Sequence, residues 1–114
     1  MKQKLSVVKI GGNLIEDAEE CKHVLGLFSK LDGNKILVHG GGNKATELAN
    51  QMGVESKMVN GRRITNAETL DIALMVYGGL YSKKIVAKLQ SLGTDAIGMS
   101  GADADAIRAH KRPK

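Results

Sequence analysis

Two glycine clusters, each ending an apolar run, restrict what this chain can fold into more than any other feature. Val7-Val8-Lys9-Ile10 breaks into Gly11-Gly12, and Ile36-Leu37-Val38-His39 breaks into Gly40-Gly41-Gly42. Short runs of Val and Ile bounded by glycine read as buried strands. A helical stripe separates the two, and another follows, so the order is β-α-β-α and the sheet is parallel. Crossovers of this kind are right-handed, which sets both glycine clusters at one edge of the sheet. Ligands of open α/β sheets bind at that edge. Glycine lets backbone N–H groups approach an anion closely, so two such loops side by side form a bed of donors for phosphate. The second cluster opens directly into a helix and adds the positive end of its dipole.

The rest of the chain fits around that frame. Asp17 with Glu20 resembles a capping box, and Cys21, Val24, Leu25, Phe28 and Leu31 form an amphipathic stripe ended by Asp32-Gly33-Asn34. Ala45, Leu48, Ala49 and Met52 give the apolar face of the next helix, with Gly53 closing it. Asn60-Gly61, between Lys57-Met58-Val59 and Arg62-Arg63-Ile64-Thr65, predicts a two-residue hairpin. Thr65 and Glu68 mark a helix start, with Gly78-Gly79 kinking or breaking a run that continues to Gly93. Asp95 to Met99 reads as a third parallel strand, and Ala106 to His110 as a further extended segment.

Composition narrows the function classes. The 114 residues suffice for one domain and are too few for two well-cored ones. Aromatics are 3% with no Trp, which argues against base-stacking platforms. The formal charge is +5, but Arg108, Lys111, Arg112 and Lys114 hold most of it in the tail. A nucleic-acid partner would call for a basic face or stripe instead. The single cysteine, Cys21, permits no internal disulfide and sits among apolar helix positions as a structural thiol. No window approaches a membrane span, so the expectation is a cytoplasmic protein with neither membrane nor nucleic-acid partner.

Lys9 is the sharpest chemical candidate. An ammonium inside an apolar strand is costly unless it reaches a partner or solvent. Either it snorkels from the strand edge, or it neutralises charge on a transferring phosphoryl group beside Gly11-Gly12. Neither glycine loop matches the Walker or dinucleotide fingerprints, so each alone is a weak signal. Arg62 and Arg63 read as solvated charges or as a fork for a substrate carboxylate. His39 reads as a satisfied core histidine. Asp103 and Asp105 read as a polar turn, and no metal cluster is expected.

The Lys9-Ile10-Gly11-Gly12, His39-Gly40-Gly41-Gly42 and Asn60-Gly61-Arg62-Arg63-Ile64-Thr65 motifs, in this order and spacing, resemble the amino acid kinase family. The likeness runs along essentially the whole chain. The Asn-Gly-x-Arg-x-Thr hairpin is similar to that of the branch that phosphorylates the side-chain carboxylate of N-acetyl-L-glutamate in arginine biosynthesis. The resemblance implies a three-layer αβα sandwich with a mainly parallel sheet, of the carbamate kinase-like type. It implies ATP with Mg2+ as phosphoryl donor and a homodimer built on the helix from residue 67. Carried over by position, Lys9 stabilises the transition state, and Gly11 and Gly12 cradle the ATP phosphates. Gly41 and Gly42 bind the substrate and the moving phosphoryl group, and Arg63 holds the α-carboxylate from a lid-like hairpin. Arg62 stands where the family more often has an apolar residue.

Members of that family continue well past this length, into a part that binds the base and ribose and supplies a second lysine, an aspartate and an asparagine. The expectation for residues 1–114 is therefore an N-terminal substrate-binding portion, inactive or nearly so by itself. Two alternatives stand beside it: a kinase for N-succinyl-L-glutamate or another substrate of the family, and a non-catalytic module that holds an anionic ligand in the same loops.

Overall fold

The computed structural model describes residues 3–55 and 57–113. Strand β1 (Leu5–Ile10) pairs in parallel with β2 (Asn34–His39), from Leu5 opposite Asn34 to Ile10 opposite His39. Both glycine clusters therefore leave the sheet at the same end. Directly beyond Gly11 the chain winds into a short helix, α1 (Gly12–Glu16), where the sequence suggested only a loop. Helix α2 (Ala18–Ser29) follows, and the Asp17 carboxylate accepts the Glu20 N–H at 3.1 Å, as the capping spacing predicts. At its other end, Lys35 Nζ donates to the Ser29 and Leu31 carbonyls, both at 2.9 Å, closing two acceptors that the helix end leaves open.

Helix α3 (Lys44–Gln51) opens from the second glycine cluster and stops at Gly53, whose φ of +73° is the left-handed conformation expected there. Met52 is not part of its buried face; Ala45 and Ala49 are. Strands β3 (Lys57–Val59) and β4 (Arg62–Ile64) form the hairpin, with positive φ at both Asn60 and Gly61, the signature of a type I′ turn.

Three expectations change in the second half of the chain. Helix α4 (Ala67–Ala73) is capped by Asn66, which accepts the Thr69 N–H at 2.8 Å, and not by Thr65. Gly78-Gly79 does not break the helix. The chain runs on through a π-helical segment (Leu74–Tyr81) into α5 (Ser82–Ser91). Glycines there have no Cβ to crowd a turn whose hydrogen bonds widen to i+5. Residues 95–99 are not a strand. Gln90 accepts the Ala96 N–H at 2.7 Å and donates to the Asp95 carboxylate at 3.3 Å, so a side chain of α5 takes the place of a neighbouring strand. Gly98 lies against the Ser82 hydroxyl, and Ile97 faces solvent at 87% exposure. Residues 106–110 are irregular as well, beyond a 3-10 turn at Asp103–Asp105.

Apolar side chains collect in two clusters. The first joins Ile10, Ile15, Leu25, Phe28, Ile85 and Leu89, so α2 and α5 cover one face of the parallel pair. The second joins Ala45, Ala49, Ile72 and Val76 between α3, α4 and the π segment. Tyr81 packs against both. On the other face of the sheet Leu5, Val7, Ile36 and Val38 are exposed. Leu25, 1% exposed in the first cluster, is one of the two largest fully buried side chains, with Val76. Leu25→Ala is expected to lower unfolding free energy by about 3 kcal/mol in urea titration, with the slope unchanged.

Candidate functional site

The two glycine loops meet backbone to backbone. A Cβ built on Gly12 would stand 2.6 Å from the Gly42 Cα and 3.1 Å from its nitrogen, closer than any side chain tolerates. Gly42 takes a φ of +56°, and a Cβ on it would lie 2.9 Å from the Gly12 carbonyl oxygen. A non-glycine residue at either position would force the loops apart. Among the described residues, neither the Gly41 nor the Gly42 N–H donates a hydrogen bond within the chain. Gly41 is buried and Gly42 half-buried, and both lie beside the start of α3, where unpartnered N–H groups and the helix dipole favour an anion.

Gly41 is fixed from its other side. Any Cβ there would run into the Tyr77 ring, and the Val76 Cγ1 would lie 3.0 Å away. The π segment thus delivers Val76 to the core and the Tyr77 ring to the glycine loop. Tyr77 also meets the hairpin, its hydroxyl accepting from Arg63 Nη1 at 3.4 Å. Arg63 Nη2 donates to the Thr46 hydroxyl of α3 at 2.5 Å. The Arg63 Nε is buried without a partner, a donor left uncommitted. Arg63 is therefore tucked against α3 and the π segment, within one aromatic ring of Gly41, whereas Arg62 points to solvent. Thr46 and Tyr77 were not singled out by sequence. Each reads as an ordinary helix position, and neither polar partner is near in the chain.

Lys9 pairs with Val38 in the ladder, one step below the loops. It is exposed, alternating with Val8 and Ile10 and so set on the sheet face that the helices leave open. Among the described residues it forms no ion pair or hydrogen bond. Gly11 serves as the N-cap of α1 and lies in open space. His39 donates from Nδ1 to the Gly40 carbonyl at 2.8 Å; it is satisfied as expected, but half-buried at the strand end and not in the core. Burial pushes the Cys21 thiol pKa up, which disfavours a reactive thiolate. Asp103 accepts from the Ser100 N–H at 2.6 Å and from its hydroxyl, and these bonds hold its carboxyl below the usual range. It is a polar turn. Among the described residues no three acidic, His or Cys groups gather as a metal site, and no helix is long and apolar enough to cross a membrane.

One residue outside the motifs reaches the loops. Glu16, at the end of α1, accepts the Asn43 N–H with its Oε1, and that oxygen would lie 2.5 Å from a Cβ on Gly42. Its charge, after burial, helps raise the Tyr81 hydroxyl pKa, together with Glu47. No local signal marks Glu16, because its partner lies 27 positions away.

Residues 4–114 match the model of the amino acid kinase family. Acetylglutamate kinase of Phocaeicola vulgatus is 57% identical over 113 residues, 99% of this chain and 44% of that relative. Acetylglutamate kinase of Methanopyrus kandleri is 38% identical over 108 residues, 95% of this chain and 41% of the relative. The chain thus spans less than half the length of these curated relatives. Among solved structures, smu.665 from Streptococcus mutans UA159 superposes with a TM-score of 0.59 at 26% identity, over 78% of this chain and 37% of that one. N-acetylglutamate synthase from Neisseria gonorrhoeae, complexed with coenzyme A and L-arginine, shares the fold with a TM-score of 0.50 at 22% identity, over 96% of this chain and 24% of its own. Helices packed on a parallel sheet are consistent with the αβα architecture of such proteins. Sequence and fold agree, and the chain belongs to the amino acid kinase family.

Proposed function

We propose that this chain supplies the acyl-amino-acid and phosphate-loop portion of an ATP-dependent kinase acting on the side-chain carboxylate of N-acetyl-L-glutamate, in the cytoplasmic synthesis of arginine. The observation that carries this reading is the contact of Gly12 with Gly42, beside two unengaged N–H groups at the edge of a parallel sheet. Such a bed fits a phosphoryl group in transit, where charge spreads over its peripheral oxygens.

The chemistry assigns each residue a task. A carboxylate oxygen of the acceptor attacks the γ-phosphorus of ATP, and the bond to the ADP oxygen breaks, leaving an acyl phosphate. Gly11 and Gly12 hold donor phosphates through backbone N–H, and Gly41 and Gly42 hold the acceptor and the moving group. Lys9 brings a full positive charge next to both loops and offsets charge that grows between donor and acceptor oxygens. Mg2+ enters with the nucleotide as its counter-ion. Arg63, held beside Gly41 by the Thr46 hydroxyl and Tyr77, would exchange these partners to fork onto the α-carboxylate. Its place on a two-residue hairpin lets it close over the acceptor.

Leu70, Leu74 and Met75 are exposed along α4 and the π segment, at 58%, 59% and 51%. An apolar face of this kind suits the homodimer proposed for the helix that begins at residue 67.

Three measurements test this reading in the chain as it occurs in its native protein. Lys9→Ala is expected to lower kcat with ATP and N-acetyl-L-glutamate by about 10²–10³-fold while acceptor binding persists; loss of affinity alone would point to an anion-binding module instead. Arg63→Lys keeps the charge and removes the fork, and is expected to raise the acceptor KM about tenfold. Leu74→Glu is expected to halve the mass seen by sedimentation, and an unchanged mass would remove this helix from the interface.

A further inference from the structure

Glu16 belongs to neither glycine motif, yet its carboxylate ties the two loops together. It leaves the last residue of α1, crosses the gap and accepts the N–H of Asn43, the residue that opens α3. Asn43 is the N-cap residue of α3, and its own N–H is satisfied from another element. The same Oε1 lies against Gly42 on the side where a Cβ would project, and the Gly12 carbonyl lies close by. Glu16 accepts no hydrogen bond from the Gly41 or Gly42 N–H groups, which stay unengaged among the described residues.

We infer that Glu16 is a positioning residue: its carboxylate staples Asn43 to α1 and thereby presets the Gly41 and Gly42 N–H groups for the phosphoryl group. The inference rests on the phosphoryl-transfer reading above. A negative charge beside an anion site would oppose binding if it filled that site. Glu16 does not occupy those two donors, because its hydrogen bond goes to the Asn43 N–H. Its charge still repels an anion there, and the preset donors have to outweigh that repulsion. Loop donors held in place before the ligand arrives need no reorganisation as charge develops on the phosphoryl oxygens. The effect should therefore fall on kcat more than on KM.

Two variants in the native protein separate the possibilities. Glu16→Gln retains an oxygen that can accept the Asn43 N–H, whereas Glu16→Ala does not. Glu16→Ala is expected to lower kcat/KM about tenfold, the loss of one charge-assisted hydrogen bond, mainly through kcat. Glu16→Gln should recover most of that activity, and both variants should keep the thermal midpoint of the parent. A Glu16→Ala protein with unchanged or tighter substrate binding and full kcat would overturn the inference, since the carboxylate would then be idle or a competitor of the incoming anion. Equal impairment of Gln and Ala would overturn it too, by showing that charge matters and the staple does not. Backbone ¹⁵N shifts of Gly41, Gly42 and Asn43 report on the staple independently of turnover. Shifts that move in Glu16→Ala and not in Glu16→Gln, in a protein with no kinase activity, would sink the functional reading and leave the staple standing. Unmoved shifts in both would sink the staple itself.

Discussion

Everything at the candidate site depends on how closely two stretches of main chain can approach. Parallel pairing carries Ile10 and His39 to the same level, and the residues that follow have nowhere to go but toward each other. Gly12 and Gly42 make that approach possible, since a methyl group on either would collide with the backbone of the opposite loop. From this contact follow the position of α1, the origin of α3 and two N–H groups that regular structure would have consumed. The requirement is steric first. Electrostatics enters afterwards, when the free donors and the start of α3 make the resulting hollow attractive to an anion.

Around the contact the molecule is built from two small cores. One presses α2 and α5 on the sheet, and the other presses α3 on α4 and the π segment. Tyr81 packs in both, while Tyr77 leaves the second core to touch Gly41 and Arg63. The hairpin would otherwise be a marginal two-stranded unit in water. Through Arg63, Thr46 and Tyr77 it is tied to the loop that its arginine is proposed to serve.

What could be read from the residues was what local rules govern. The Asp17 cap and the Asn60-Gly61 turn appear where the patterns place them, because each is decided within four or five residues, and strand β1 does so because β2 is there to pair with it. The helix start was read one residue too early, at Thr65 with Glu68, and Asn66 is the cap. Residues 95–99 alternate as a strand should, yet strand formation needs a partner, and Gln90 supplies the hydrogen bonds from a helix instead. The glycine loops and Arg63 were legible as motifs. Glu16, Thr46 and Tyr77 were not, since each acts through a contact made only after the chain has folded back on itself.

The π-helical turns between α4 and α5 make residues 67–91 a single shaft with its two ends clocked differently. A stretch bonded from i to i+5 winds more slowly than the 3.6 residues per turn of its neighbours. The slow stretch sets the angle between the teeth that seat on α3, Ile72 and Val76, and those that seat on the strands, Ile85 and Leu89. Shortening it by one residue would re-index one end of the shaft while the other stayed in gear, and the aromatic ring against the second glycine loop would swing out of alignment with the change.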